Sequence, residues 1–267
     1  MTVCEKDLGL KYQTNKSSPV KQTLTISNWN LERILPTQKR LAEIQEYFSE
    51  SPSDIWFLTE THEDVNPCEG FFPIFSGKPD RDSINGERWA AIWSRWPIQP
   101  LEAFVSDSAR CVAGRIPDSP VGELIVYGTV LPWTNSWRGI PGAGGQAFEA
   151  ALDLQKRDWL ALKEEFPKAT LVVAGDFNQD LAAWQYYGSK KKRALLDVAF
   201  AESDLVALTG GALDPIARDS APMACIDHIC ISTKSGWNLK ATLRWPDSPR
   251  PMPSLSDHFG VSVALTI

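Results

Sequence analysis

Apolar runs that stop abruptly at polar residues are the most regular feature of this chain. One of them, residues 171–174, is rich in Val and ends at Gly175-Asp176-Phe177-Asn178. Such a run is typical of a buried strand, and a carboxylate at its end would be held rigidly. Gly175 would let a ligand approach the backbone, and Asn178 would point to the same side as Asp176. On this segment alone, a strand ending in an Asx-type turn is an equally good interpretation.

Similar runs recur along the chain. Residues 24–30 alternate like a strand and end at Asn30, residues 54–62 contain Glu60, and residues 225–231 contain Asp227. The dipeptide Asp257-His258 precedes a last strand-like segment, residues 259–267. Gly, Pro, Asp and Asn separate the remaining predicted strands, which are residues 71–76, 88–94, 109–116, 124–131 and 239–245.

Helical periodicity is limited to a few segments. Residues 36–50 and 147–166 each carry an apolar stripe at helical spacing, and Pro167 ends the second. Residues 181–205 are also predicted to be helical, with an interruption at 188–193. Strands therefore dominate, and the expected layering is two packed sheets with helices outside.

Length and composition are consistent with one large domain. The chain has 267 residues, of which 43% are hydrophobic, and it shows no repeat or composition shift. We expect a flexible arm over residues 1–22 and a single domain over residues 23–267. The net charge of −6 argues against a protein that coats nucleic acid non-specifically, but it allows an enzyme that uses a metal to meet a phosphate.

The cysteines and the N-terminus indicate the compartment. The five cysteines are scattered and form no C-x-x-C pair, which favours a reducing environment. The first 22 residues lack the apolar core of a secretory signal, and no run approaches the roughly 18 apolar residues of a membrane span. We therefore predict a soluble, cytoplasmic protein, and we assume a monomer.

Polar residues at strand ends form the candidate site. Each alone is weak evidence, because a lone Glu or His at such a place is usually structural. Their recurrence matters, since Mg²⁺ takes oxygen ligands, and hydrolysis needs an acid and a base beside it. The set comprises Asn30, Glu32, Glu60, Asp176, Asn178, Asp227, Asp257 and His258.

These segments resemble the endonuclease/exonuclease/phosphatase superfamily, which includes apurinic endonucleases and DNase-like enzymes. The resemblance runs from about residue 23 to 267 and keeps the order of the motifs. It implies a four-layered αββα sandwich, an α/β (α+β) fold of two mainly antiparallel sheets with outer helices. The motifs are Ser27-Asn28-Trp29-Asn30, Glu60-Thr61, Gly175-Asp176-Phe177-Asn178, Ile226-Asp227-His228-Ile229 and Ser256-Asp257-His258.

The resemblance also implies hydrolysis of a phosphoester that depends on Mg²⁺ or Mn²⁺. Glu60 would be the main metal ligand, helped by Asn30, Glu32 and Asp257. The implied catalytic residues are Asp176, Asn178, His258 and Asp227. Asp176 would orient or deprotonate the attacking water, and Asn178 would hold the phosphate or that water. His258 would stabilise developing charge, and Asp227 would fix the His258 ring. The remaining histidines, His62 and His228, are expected to be structural.

The chain departs from the family at the end of the middle strand. Val130 stands where many relatives have a Tyr or His, so a phosphate contact is either missing or supplied by Trp133, Asn135 or Arg138. Thr59 replaces the Gln that is common before the family's Glu. The basic run 190–193 is more often a solvated face than a binding patch.

Three functions remain open at this point. We favour a nuclease or phosphodiesterase that cleaves nucleic acid, with the Trp-rich loop at 132–146 stacking bases. A phosphatase or phosphodiesterase for a small or lipid-derived phosphate ester suits the acidic charge better. A non-catalytic binding module of the same fold is the weakest alternative, because the main acid–base residues are all present.

Overall fold

The fold is described from a computed structural model of the chain. The structure describes residues 22–79, 83–133, 146–184, 186–217, 223–233, 236–248 and 250–267. The predicted arm, apart from its last residue, lies outside these residues.

Two six-stranded sheets form the centre of the molecule. The first sheet has the strand order β11-β12-β1-β2-β4-β3, and only β1 and β2 pair in parallel. Its strands are β1 (Thr23–Asn30), β2 (Ile55–His62), β3 (Phe72–Phe75), β4 (Glu87–Ser94), β11 (Asn238–Trp245) and β12 (Gly260–Thr266).

The second sheet has the order β5-β6-β7-β8-β10-β9, and its one parallel pair is β7 with β8. The predicted strands are confirmed, and β5 and β9 are additions too short for periodicity to reveal. The strands are β5 (Gln99–Pro100), β6 (Cys111–Ile116), β7 (Leu124–Val130), β8 (Thr170–Asp176), β9 (Leu205–Ala207) and β10 (Asp227–Ser232).

Three α-helices lie in the described parts of the chain: α1 (Arg40–Glu50), α2 (Gln146–Glu165) and α3 (Lys190–Glu202). The first two confirm the predicted helices, although α1 begins four residues later than expected. The prediction for residues 181–205 is wrong at both ends. Residues 181–184 and 186–189 lie outside any helix, the hydroxyl of Ser189 caps α3, and Leu205 begins β9.

Apolar packing gives four layers, which confirms the predicted αββα sandwich. The first cluster fills the space between the sheets, with Ile26, Phe57, Val126 and Val172 among its members. The second packs α1 on the first sheet, and the third packs α2 and α3 on the second sheet. None of the described helices is both long and apolar enough to cross a membrane.

The topology brings several strand ends together at one end of the sandwich. Strands β1 and β2 run parallel and finish near Asn30 and Glu60. Strand β8 finishes at Asp176, which pairs with Asp227, the first residue of antiparallel β10. The polar positions found in sequence therefore lie at the same end of both sheets.

Candidate active site

Gly175 fixes the approach of β8 to β7. Its φ is +147°, and a Cβ at this position would lie 1.9 Å from the backbone oxygen of Thr129. The absence of a side chain therefore serves strand pairing. This corrects the expectation that Gly175 leaves room for a ligand, and it explains why the carboxylate of Asp176 is so firmly placed.

Asp176 is almost fully buried and accepts several hydrogen bonds. The backbone amide of Asn178 donates to Oδ1 at 2.8 Å, and the Asn178 side-chain amide donates to Oδ2 at 2.9 Å. The same amide also donates to the backbone oxygen of Leu131 at 2.9 Å, at the end of β7. Asn178 has φ +49°, a left-handed conformation that Asn tolerates better than most residues. It therefore orients Asp176 and is itself held by β7.

Asn30 joins the two sheets at the site. Its amide nitrogen lies 3.2 Å from Oε1 of Glu60 and 3.2 Å from Oδ2 of Asp176. Its amide oxygen accepts the backbone N–H of Glu32 at 2.9 Å. This backbone donor sets the orientation of the amide, because a rotated amide would place two donors face to face. Asn30 thus presents its donor to the two carboxylates.

His258 is held by Asp227 from the opposite side. Its Nδ1 lies 2.6 Å from Oδ2 of Asp227. Ser256 accepts the backbone N–H of His258 at 3.1 Å and donates its own hydroxyl to the backbone oxygen of Asn30 at 2.7 Å. The loop before β12 is therefore fastened to the end of β1, and the imidazole keeps one ring orientation.

Burial and neighbouring charges shift two pKa values in this group. Burial, together with the charges of Asp227 and Glu60, raises the pKa of Asp176 to about 8, and the opposing effect of His258 is smaller. Burial alone would lower the pKa of His258, but the charge and hydrogen bond of Asp227, with Asp176 and Asp257, raise it to about 10. The imidazole is therefore cationic near neutral pH, beside the carboxyl group of Asp176, whose own pKa is raised.

Most of the predicted site residues come together. Asp176, Asp227 and His258 each offer a ligand atom within 4.8 Å of the others. Asn30 links Glu60 to this group, and Asn178 contacts it directly.

The other predicted site residues lie at the rim of this group or away from it. The carboxylate of Glu32 is exposed and lies 3.3 Å from Arg40, so only its backbone reaches the site through Asn30. The Asp257 side chain is 61% exposed, with its carboxylate 3.8 Å from Nε2 of His258 at the rim. Trp133 is exposed, whereas Asn135 and Arg138 lie outside the described residues.

The other two histidines have structural environments. His228 is fully buried, and its ring contacts the backbone oxygen of Gln179 at 3.0 Å and the Thr209 hydroxyl at 3.3 Å. His62 contacts the backbone oxygen of Asn85 at 2.9 Å and accepts the N–H of Asp64. Both interactions agree with the structural roles predicted from sequence.

The basic run 190–193 forms the first turn of α3, and three of its members make contacts inside the molecule. Lys191 pairs with Glu149 at 2.6 Å, and Arg193 pairs with the buried carboxylate of Asp180 at 2.5 Å. The ammonium of Lys192 lies 4.8 Å from the ring centre of Phe148. The run is therefore more than the solvated face that sequence favoured.

The donor set fits a hard divalent cation. The carboxylates of Asp176 and Asp227 lie together beside His258, and the Asn30 amide links Glu60 to Asp176. Among the residues that the structure describes, no hydrogen-bond partner contacts the buried Oδ1 of Asp227. An unpartnered buried carboxylate oxygen is costly, and a bound cation would satisfy it. Oxygen ligands are those that Mg²⁺ and Mn²⁺ favour.

The sequence model of the Endonuclease/Exonuclease/phosphatase family matches residues 27–258. The chain belongs to this family. The resemblance noted in the sequence is thereby confirmed, and the family is one of phosphoester hydrolases. A comparison with curated proteins finds no match.

Solved structures of the family share the fold at low identity. An endonuclease/exonuclease/phosphatase family protein from Bacteroides thetaiotaomicron is 18% identical, with TM-score 0.63 and coverage of 92% of this chain and 98% of that one. The 3′ phosphatase NExo from Neisseria, bound to a product DNA hairpin, is 18% identical, with TM-score 0.62 and coverage of 90% and 98%. An AP endonuclease from Archaeoglobus fulgidus is 16% identical, with TM-score 0.60 and coverage of 90% and 98%.

Proposed function

We propose that this protein is a divalent-metal-dependent phosphodiesterase that cleaves nucleic acid by attack of water on phosphorus. The observation that carries the proposal is the meeting of a buried, proton-binding Asp176 with the His258–Asp227 pair at one end of the sandwich. A base and a cationic donor within one small site are what in-line hydrolysis of a phosphoester requires.

Asp176 is the proposed base. Its carboxylate is fixed by Asn178 and Asn30, so it needs no reorientation when a water approaches. Because its pKa is raised to about 8, it is a far stronger base than an exposed aspartate. Its role is to orient the attacking water and to accept its proton.

His258 is the proposed electrostatic partner of the phosphoryl group. Asp227 occupies Nδ1, which leaves Nε2 as the donor that faces away from the pair. With a pKa of about 10 the ring stays protonated at neutral pH, so it can donate to a phosphoryl oxygen as negative charge develops there.

Glu60 is the proposed main ligand of Mg²⁺ or Mn²⁺, and the Asn30 amide links it to Asp176. In the described part of the chain, the buried Oδ1 of Asp227 has no hydrogen-bond partner, so a cation would also satisfy it. Such a cation supplies charge neutralisation at the phosphate and makes its bound water more acidic. Asn30 and Glu32 would support the ligands without binding the cation directly, because the Asn30 oxygen and the Glu32 carboxylate have other partners. Asp257 would complete the set from the rim.

Nucleic acid is the preferred substrate class. The Neisseria 3′ phosphatase holds a DNA hairpin, and the Archaeoglobus protein is an AP endonuclease, and both share this fold over nine-tenths of the chain. The formal charge of −6 favours the second candidate, a hydrolase of small or lipid-derived phosphate esters. Both candidates use the same residues at phosphorus.

An activity panel separates these functions. Purified protein is incubated with Mg²⁺ or Mn²⁺ and with plasmid DNA, single-stranded DNA, RNA or small phosphate esters, and parallel reactions contain EDTA. We expect cleavage of nucleic acid that EDTA abolishes. Turnover of small esters alone would establish the second candidate and remove the first.

Substitution of Asp176 tests the proposed base. We expect Asp176→Asn to reduce kcat by about 10²- to 10⁴-fold, because the carbonyl that replaces the carboxylate cannot accept the proton. The control is Asp197→Asn, which removes an exposed carboxylate from α3 and should leave kcat unchanged. Circular dichroism checks that both variants fold. Full activity in folded Asp176→Asn protein would refute the assignment.

A further inference from the structure

The turn after β1 contains two adjacent residues in a left-handed backbone conformation. Glu32 has φ +47° and Arg33 has φ +57°, and neither is a glycine. This conformation is unfavourable for a residue with a Cβ, so it persists only where surrounding contacts hold it. The backbone N–H of Glu32 is also the donor that orients the Asn30 amide. The contacts that hold this turn therefore influence the active site.

Arg40, the first residue of α1, contacts this turn directly. Its Nη2 donates to the backbone oxygen of Glu32 at 2.6 Å, and its Nη1 lies 3.3 Å from the Glu32 carboxylate. The backbone oxygen of Glu32 belongs to the peptide that joins Glu32 to Arg33, so this hydrogen bond holds the peptide between the two left-handed residues. Nε of Arg40 donates to the Gln38 side chain at 2.9 Å, and this contact fixes the guanidinium itself.

The same guanidinium reaches the loop that carries His258. Nη1 of Arg40 donates to the backbone oxygen of Leu255, the residue before Ser256-Asp257-His258. Leu255 is buried in the apolar cluster between α1 and the first sheet, and the Ser256 hydroxyl donates to the backbone oxygen of Asn30. Only 17% of the Arg40 side chain is exposed, so these hydrogen bonds are largely shielded from water. One side chain therefore joins the turn after β1 to the loop before β12.

Loss of the Arg40 contacts would reach the catalytic residues through Asn30. If the turn relaxed, the N–H of Glu32 would no longer hold the Asn30 oxygen, and the amide would be free to rotate. The amide nitrogen now lies 3.2 Å from both the Glu60 and the Asp176 carboxylates. A rotated amide would present its oxygen to them, and oxygen acceptors that face each other form no hydrogen bond. The two carboxylates would then lose the donor that fixes their separation.

We propose that Arg40 is a positioning residue for catalysis, which holds the left-handed turn after β1 and through Glu32 orients the Asn30 amide. A guanidinium suits this role, because its planar fork of donors reaches several acceptors at once, whereas an ammonium is a single point charge. Arg40 lies on a helix outside the polar strand ends that mark the site in sequence. The inference rests on the proposed phosphoester hydrolysis, and it names a residue that controls the geometry of that site from outside it.

Substitutions at Arg40 and at its neighbour Lys39 test this proposal. We expect Arg40→Ala to lower kcat by about 10- to 100-fold and to leave KM within about threefold of wild type, because a small misplacement of catalytic groups has this effect. Arg40→Lys should keep at most about a tenth of the wild-type kcat, since it lacks the fork of donors. Lys39→Ala removes the same charge from an exposed position and should change kcat by less than about twofold. Circular dichroism at the assay temperature checks that each variant is folded.

A double-mutant cycle with Asn30→Ala tests whether Arg40 acts through the Asn30 amide. In the Asn30→Ala background, Arg40→Ala should lower kcat by less than about threefold, because the amide that Arg40 orients is already absent. Equal losses of kcat in the two backgrounds, or wild-type kcat in folded Arg40→Ala protein, would overturn the role of Arg40 while leaving the hydrolase intact. A wild-type protein that hydrolyses no phosphoester would overturn both proposals together.

Discussion

At the residue scale, one backbone partner sets the orientation of the Asn30 amide in this site. The Asn30 amide faces the carboxylates with its nitrogen because the backbone of Glu32 takes its oxygen. The sequence motif predicted Asn30 as a site residue, and its amide lies between Glu60 and Asp176. The motif could not indicate which amide atom faces inward, because that depends on a turn in which Glu32 has φ +47°.

Asp227 should control both limbs of the pH profile. It raises the pKa values of His258 and Asp176, so Asp227→Asn should lower both and shift the entire kcat/KM profile to lower pH. Kinetics between pH 5 and 10 measure the shift. Titration of the His258 ring by NMR gives its direction independently, with His62 as the reference ring. A profile that stays in place would show that Asp227 is not what keeps the imidazole protonated.

At the scale of elements, local patterns predicted the strands and two helices but not the segment that follows β8. Residues 36–50 and 147–166 have helical periodicity because one face packs on a sheet. Residues 179–184 and 186–189 follow no periodicity, because the buried side chains of Gln179 and Asp180 hold their backbone. Hydrogen bonds from the side chains of Gln179 and Asp180 hold the backbone of Tyr187, and no sequence pattern indicates them.

The ion pair between Arg193 in the first turn of α3 and Asp180 gives a prediction about stability. Arg193→Gln leaves the buried carboxylate of Asp180 without its ion-pair partner, and we expect a loss of about 2–4 kcal/mol in the free energy of unfolding. Lys190→Gln, an exposed position in the same turn, should change it by less than about 0.5 kcal/mol. Urea denaturation measures both. Equal stabilities would mean that the basic run is a solvated face after all.

For the molecule as a whole, the order of strands was beyond local sequence reasoning. The neighbours β1 and β12 stand at opposite ends of the chain, and nothing in either strand specifies the other. The family resemblance supplied the four-layered sandwich with the site at one end of both sheets, but the strand order came only from the structure. Charge clustered there, in a protein of net charge −6, couples stability to pH and to cations.

Without a divalent cation, the protein should lose stability as pH rises. The pKa of Asp176 is raised from 3.8 to about 8 in the folded state, so its contribution is lost between about pH 4 and 8. The pKa of His258 is raised from 6.5 to about 10, so its contribution is lost between about pH 6.5 and 10. Both losses overlap from pH 6.5 to 8, where the melting temperature in EDTA should fall most steeply. Millimolar Mg²⁺ or Mn²⁺ should reverse the fall at pH 8, where Asp176 is partly ionised beside the site, and have less effect at pH 5.5, where a proton occupies Asp176. Asp176→Asn should flatten the slope in EDTA, and a cation effect of equal size at both pH values would contradict the proposed site.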